Sequence, residues 1–482
     1  NEFNLNLPID YELNNFDELN EIFNSLKGEK YSLNSINKIL KEIDKIVLNK
    51  QFEFLKSSVQ EEIKDNLINL TFNIGESEKF YVEKINIFGN NITREEVIRN
   101  NLLIDEGDAF NELLQTKTLN NLKSLNFFSK VDSEIIDVTN QNKKIINITV
   151  EEKPTGEIMA GAGVGTSGGT VAFGVSENNY LGRGIEFSSD VSVSAESLKG
   201  LIAINNPNYK GSNRSLNVSL ESTVTDRLKN FGYESNKTGF SVGSGFEFYE
   251  NLYWNTGLSS YIEKLETDST ASASIKKQEG SYFDTFFNQT FSYDKRNQKF
   301  KTSDGYRSSY NINFPIVSDT NTLTNSYNYK IYSELFENQI SSLSFLVKTA
   351  TSITGDDVKL TERLSIPSNY LRGFARGKVG PKDGNDYIGG NFVTSVNLQT
   401  SVPILFENSQ NLDAVIFFDA ANIWGVDYDS SIDDSSKVRS SIGIGVDYLT
   451  VVGPLSFSLS QVISKSDNDV EESFRFNLGT TF

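Results

Sequence analysis

Ser441-Ile442-Gly443-Ile444-Gly445-Val446-Asp447 alternates a branched apolar side chain with a small or polar one, so an extended chain carries all its apolar groups on one face. A helix would scatter the same residues around its circumference. The period of two continues downstream in Leu455/Phe457/Leu459 and Phe474/Phe476/Leu478. Upstream it returns in Val415/Phe417, Tyr310/Ile312/Phe314, Phe240/Val242, Leu216/Val218/Leu220 and Ile185/Phe187. No helical period competes with it from Pro154 to Phe482. Candidate strands fall near 157–166, 170–177, 184–195, 199–206, 213–224, 237–248, 252–265 and 277–293, then 305–315, 326–337, 341–353, 390–403, 411–421, 437–449, 454–464 and 472–482. They number about sixteen, and an even count returns the chain to the side where it entered.

The connections separate a membrane barrel from a soluble all-β domain. Those at 178–183, 208–212, 250–251, 337–339 and 450–453 are short, whereas those at 225–236, 266–276, 354–389 and 422–436 are longer and polar. Short turns on one face and long loops on the other mark an outer-membrane barrel. With 34 Phe and 20 Tyr but only 2 Trp, the aromatic side chains suit lipid-facing bands and interfacial girdles. The longest apolar runs stop far short of the roughly 20 residues a membrane helix needs, so any span must be a closed barrel. The alternative is a β-sandwich array, but this stretch shows no second core pattern.

Composition narrows the chemistry. The 45 basic and 64 acidic residues leave a net charge of −19, which argues against a nucleic-acid partner. Without Cys or His there is no disulfide, no Cys or His nucleophile, no His-dependent triad and no Cys/His zinc site. No catalytic group, metal or cofactor is expected. The four acids Asp427, Asp429, Asp433 and Asp434 lack the Gly and Glu of a calcium loop and read as a solvated outer loop. The chain opens at Asn1 without a signal peptide, as a processed or trimmed fragment would.

Residues 1–78 read as a small mixed domain: a strand near 5–13, a helix with Phe16, Leu19, Ile22, Phe23 and Leu26 on one face, and a second with Ile36, Ile39, Leu40, Ile43, Ile46 and Val47. Two strands close it, the latter alternating Ile68, Leu70, Phe72 and Ile74. The same β-α-α-β-β order returns over 79–154, an internal repeat of about 75 residues. There Ile85 and Ile87 lead to the turn Phe88-Gly89-Asn90-Asn91, and Thr93 is expected to cap a helix carrying Val97, Ile98 and Leu102.

This second unit resembles a POTRA domain through Ile85-x-Ile87-x-Gly89-Asn90, Thr93, Arg99, Gly107, Leu122 with Asn126-Phe127-Phe128, and Val150-x-Glu152. The first unit shares the order but lacks the Gly-Asn turn. The resemblance implies periplasmic domains whose strand edges receive extended client segments by β-augmentation. Some family members carry, two residues after the motif arginine, an acid implicated in contacting an accessory lipoprotein; Asn101 stands there instead.

Residues 80–482 as a whole resemble the BamA family of outer-membrane protein assembly factors. The resemblance is carried by Asn179-Tyr180-Leu181-Gly182-Arg183-Gly184, Asn206-Pro207, Thr302-x-Asp304-Gly305, Arg372-Gly373-Phe374 with Gly380-Pro381-Lys382, Gly389-Gly390-Asn391, Phe417-x-Asp419 and Gly453-Pro454-Leu455. The last strand adds Phe476-Asn477-Leu478-Gly479-x-x-Phe482. Asn369-Tyr370-Leu371 departs from the small and β-branched residues the family commonly shows before its arginine. The resemblance implies a membrane β-barrel of sixteen antiparallel strands over 155–482, behind two α+β POTRA domains, in the bacterial outer membrane.

It also implies two sites. Arg372, Gly373 and Phe374 would lie in the loop 354–389 folded into the lumen, where a guanidinium needs a carboxylate and favours a bidentate one. Asp419 is the candidate, on the interior face if it shares that face with Phe417; the alternative is a solvated loop arginine. The second site is the seam between first and last strands, with Gly161, Gly163 and Gly165 facing Phe476, Gly479 and Phe482. Interior glycines weaken strand pairing, although they equally permit tight curvature. An opened seam would present strand edges as template and lateral exit for unfolded β-barrel clients, with client folding as the driving force. The family implies outer-membrane lipid and accessory periplasmic lipoproteins as further partners. The alternative is a polypeptide translocation pore of the two-partner-secretion type. A barrel hydrolase is disfavoured by the lack of His, and a plain porin by the N-terminal repeats.

Overall fold

The structure, a computed structural model, describes residues 2–6, 55–64, 67–76, 80–166, 168–299, 302–336, 339–402, 412–432, 436–450 and 453–479, with single helical positions at 19, 23, 39, 40, 43 and 46. Phe16, Ile22, Leu26, Ile36, Val47, positions 7–13, Asp433, Asp434 and Phe482 lie outside the described residues. The chain divides into two compact units, Asn1–Thr155 with Leu181–Arg183, and Gly156–Tyr180 with Gly184–Phe482.

In the first unit, β1 (Glu2–Asn6), β2 (Leu55–Lys64) and β3 (Leu67–Glu76) form a sheet in the order β1-β3-β2, with β1 parallel to β3. The first strand therefore begins earlier than the sequence predicts. Leu70 and Phe72 are buried, and Phe72 stacks on Phe23 of the first helix at 5.7 Å. The second copy of the repeat comprises β4 (Tyr81–Phe88), α1 (Glu95–Arg99), α2 (Glu112–Ser124), β5 (Phe128–Asp137) and β6 (Lys143–Glu152). Its sheet is ordered β4-β6-β5, with β4 parallel to β6. Its core packs Ile98 and Leu122 of the helices onto Ile85, Ile146, Ile148 and Val150 of the sheet.

Thr93 does not cap α1. The residue before that helix is Arg94, which makes no side-chain cap. Thr93 instead serves Glu152, whose carboxylate accepts the backbone N–H groups of Asn91 (2.9 Å), Ile92 (2.9 Å) and Thr93 (2.5 Å). Gly89 makes this wrap possible: its φ of +88° suits glycine, and a Cβ would lie 2.0 Å from Val150 O.

The second unit is a closed barrel of 16 strands, each antiparallel to its neighbours. The first half comprises β7 (Gly156–Gly165), β8 (Gly168–Glu177), β9 (Glu186–Ser194), β10 (Ser197–Asn206), β11 (Ser215–Arg227), β12 (Tyr233–Tyr249), β13 (Leu252–Thr267) and β14 (Gly280–Asp294). β15 (Gly305–Ser318), β16 (Thr322–Phe336) and β17 (Gln339–Ser352) precede the long loop, which holds the two-residue strands β18 (Gly373–Phe374), β19 (Lys382–Asp383) and β20 (Asp386–Tyr387). β21 (Phe392–Ser401), β22 (Leu412–Trp424), β23 (Arg439–Thr450), β24 (Gly453–Ser464) and β26 (Phe474–Gly479) complete the wall, and the short β25 (Glu471–Glu472) before β26 pairs with β18 instead. The alternation read from sequence is visible in space: Ile442, Ile444, Phe457 and Leu459 are exposed on the outer face, whereas Phe417, Asp419 and Ser441 are buried within.

The loops differ from the expected pattern. Most of 225–236 is strand, because β11 runs to Arg227 and β12 starts at Tyr233, leaving one helical turn at Leu228–Phe231 closed by Gly232 at φ +72°. Tyr233 and Ser235 are buried there, and Ser235 donates to Glu263 at 2.6 Å. Polar residues in this overhang pair inward and so prolong the strands where composition suggests a loop.

Candidate functional site

Arg372 reaches the barrel wall through the sharp turn that Gly373 allows at φ +88°. Its Nε donates to Asp419 Oδ2 and its Nη2 to Asp419 Oδ1, both at 2.8 Å, while its backbone N–H adds a third bond to Oδ2 at 3.0 Å. This is the bidentate fork that a planar guanidinium favours. Asn397 Nδ2 gives Asp419 a fourth donor at 2.9 Å, so the fully buried carboxylate is well satisfied. Arg372 Nη1 donates to Gln399 at 3.1 Å, the guanidinium lies 3.4 Å from the centroid of the Phe417 ring, and Ser441 Oγ donates to Arg372 O at 2.5 Å. Phe417 and Asp419 are both buried while Phe418 between them is exposed, so the arginine meets the face opposite the apolar outer band.

Phe374 is buried beside Leu371, Val393, Ala421 and Ile423. The departure at Asn369-Tyr370-Leu371 is accommodated: Tyr370 O accepts from Asn397 Nδ2 at 2.7 Å, and its hydroxyl pairs with Asn328 of β16.

The long loop has further attachments beyond the Arg372 pair. Lys359, only 4% exposed, donates to Glu263 of β13 at 2.7 Å and to Asp284 of β14 at 3.0 Å. Burial acts to lower its pKa, but Glu362, Glu263 and Asp284 outweigh burial and hold it above the ordinary lysine value. Arg363 pairs with Asp427, which also accepts Asn391 Nδ2 and Val358 N, each at 2.9 Å. Asp427 is thus an ion-pair partner, and among the described residues no group of three or more acids is placed to hold a metal ion. At the other end, Gly380 N donates to Asp469 at 3.0 Å, a carboxylate also held by Arg439 Nε at 2.9 Å. β18 pairs with β25, and Arg475 of β26 donates to Ser368 O (2.9 Å) and Phe374 O (2.6 Å). The loop therefore touches β13, β14 and β22 and also the last hairpin.

The seam is sparse. Among the described residues β26 faces β7 at three positions, Asn477↔Gly165, Leu478↔Val164 and Gly479↔Gly163. The opposite edge of β7 pairs with β8 at ten, from Gly156↔Glu177 to Gly165↔Gly168, including Gly161↔Ala172. Gly165 is required by close approach, since a Cβ would lie 2.4 Å from Asn477 Oδ1 and 2.7 Å from Phe476 O. Phe476 stacks against Phe474, which stacks in turn on Phe457 of β24, so β26 leans on its preceding strand.

Comparison with known proteins places this geometry. The model of the Omp85 superfamily domain matches residues 179–482, and that of the surface antigen variable number repeat, POTRA, matches 80–153. Outer membrane protein assembly factor BamA of Neorickettsia risticii is 24% identical over 429 residues, covering 86% of this chain and 57% of that protein. The same factor from Nitratidesulfovibrio vulgaris is 24% identical over 449 residues, covering 89% and 55%. The chain thus spans little more than half the length of these relatives. Among solved structures, BamA from Haemophilus ducreyi lacking POTRA domains 1–3 superposes with a TM-score of 0.77 at 22% identity, covering 100% of this chain and 99% of that one. CdiB from Acinetobacter baumannii gives 0.53 at 13% identity, covering 99% and 89%. At such identities these structures establish a shared fold.

Proposed function

The chain belongs to the Omp85 superfamily, and from that premise we propose that it folds and inserts β-barrel proteins into the bacterial outer membrane. The barrel sits in the outer membrane and the N-terminal domains in the periplasm. Unfolded β-barrel chains are the clients, and folding of the client in lipid supplies the driving force. The first domain, with the same strand order and the same parallel outer pair as the second, is read as another POTRA domain. Accessory periplasmic lipoproteins are further partners, though not through a carboxylate at 101, where the Asn101 amide is turned onto Val97 O at 2.8 Å.

The observation that carries this reading is the seam. Among the described residues β26 meets β7 through Gly163, Val164 and Gly165, with glycine at two of the three positions, and interior glycines weaken strand pairing. Opening it exposes backbone N–H and C=O groups of β7 and β26 to an incoming strand, which can pair there and leave sideways. The loop 354–389, folded into the lumen and fastened by Arg372 to Asp419, keeps the interior filled while the seam works.

A two-partner-secretion pore shares the fold but moves its client through the lumen. The two are separated by reconstituting the purified protein in lipid vesicles with a urea-unfolded β-barrel client. Insertion yields a client that is heat-modifiable and bilayer-embedded. A client recovered soluble and protease-protected inside the vesicles would sink the assembly reading.

A further inference from the structure

Within the barrel, a cavity of about 450 Å³ is lined by four cations, Arg296, Arg307, Lys330 and Lys348. The rest of its lining is hydroxyl, amide, aromatic and aliphatic side chains, and no carboxylate lines it, in a protein whose net charge is −19. Pro367 and Tyr370 of the long loop close one side. Arg307 and Lys330 stand directly opposite each other on β15 and β16. Like charges in that position destabilise a strand pair. Asp294 flanks Arg307 on the other side, but its carboxylate is engaged by Arg296, through Nε at 2.8 Å and Nη2 at 2.7 Å. The only hydrogen bond described for Arg307 is a 3.4 Å contact to Ser292 Oγ, and Lys330 lies over the Tyr332 ring at 4.9 Å. Among the described residues neither Lys330 nor Lys348 takes part in an ion pair.

A repulsive pair whose one neighbouring carboxylate, Asp294, is already engaged by Arg296, in a chamber large enough for a small ligand and rich in hydrogen-bond donors, is complementary to an anion. We propose that this cavity binds a multiply charged oxyanion of the phosphate class. Bound between Arg307 and Lys330, the anion replaces their repulsion with two attractions, and Lys348 and Arg296 add field from either side. The loop wall at Tyr370 makes occupancy felt by the loop.

The test is calorimetric titration of the intact protein in zwitterionic-lipid nanodiscs with inorganic pyrophosphate, paired with its barrel melting temperature. We expect one saturable site that weakens as salt is raised, and a melting temperature that rises with pyrophosphate. Lys330→Gln and Arg307→Gln each weaken binding about tenfold or more. Lys330→Gln also raises the melting temperature of the anion-free barrel by relieving the repulsion, a gain that misfolding would not produce. Lys264→Gln, on the exposed end of β13, leaves binding unchanged. Nanodiscs doped with phosphatidic acid distinguish the source: competition with pyrophosphate means a lipid headgroup reaches the site, and its absence means a soluble anion fills it. Absence of saturable binding, or binding unaltered in both variants, overturns the proposal.

Discussion

At the level of single residues, Arg372 and Asp419 could be named as partners because each sits in a short pattern shared with the family, which favoured the interior face for Asp419 where strand phase alone left it open. Phe417 and Asp419 lie two apart on a strand, so one buried implies both, and a buried carboxylate requires a cation. Asn397, Gln399 and Ser441 were not legible, since strand register alone brings them to the pair. Removing one member of a buried pair costs on the order of 3–5 kcal/mol, and Arg372 retains some solvent contact, so about 2–3 kcal/mol is expected for Arg372→Ala. A double-mutant cycle with Asp419→Ala, read by barrel melting, should give a coupling of about 1–3 kcal/mol; additive losses would mean that the contact contributes nothing. Arg372→Lys should restore only part, because an ammonium lacks the fork. Glu152 offers a pH test. Burial acts to raise its pKa, but the Thr93 hydroxyl and three backbone N–H groups outweigh burial and hold it below the ordinary 4.5. A depressed folded-state value means the contact stabilises fully above that pH and is lost as pH falls through the lowered value. Hydrogen exchange at Asn91, Ile92 and Thr93 should therefore stay slow at neutral pH and quicken on acidification, and Glu152→Gln should remove that pH dependence.

At the level of elements, alternation located every barrel strand but not its ends. The overhang of β11 to β13 looked like loop because its residues are polar, yet Ser235 there donates to Glu263, the carboxylate that holds Lys359 of the long loop. Lys359 was invisible for the same reason: its partners Glu263 and Asp284 are some 75 to 96 residues away in sequence, and nothing local marks the three as a set. Lys359→Met leaves two buried carboxylates without their cation, a loss on the order of 3–5 kcal/mol. Limited proteolysis should then cut near 354–365 in a barrel whose strands stay paired. Because the Lys359 pKa is raised above its usual 10.5, its hold is complete below that pH and fails only as pH climbs through the higher value. Protease protection of this segment should thus stay level from neutral pH to about 10; a loss near pH 8 would mean that another group holds the loop.

For the whole molecule, the closed barrel followed from the even strand count and the lack of any helical span, and the preceding repeat from two runs of the same element order. What the sequence could not display is which positions of the first and last strands face each other, which is a matter of register. Glycines in the first strand hinted at weakness, and the pairing sets two of them, Gly163 and Gly165, opposite Gly479 and Asn477. The attachments of the loop to Asp469 and Arg475 place it against the hairpin that ends in β26, so loop and seam share one structural element. With no native cysteine, the seam can be locked selectively by a disulfide between Gly163→Cys and Gly479→Cys, which face each other in the pairing. A lock between Ser241→Cys and Ser259→Cys, opposed on β12 and β13, serves as control. The rate of client insertion into vesicles should collapse in the oxidised seam variant, recover on reduction, and stay unchanged in the oxidised control. Client insertion at the full rate through an oxidised, verified seam disulfide would contradict lateral exit.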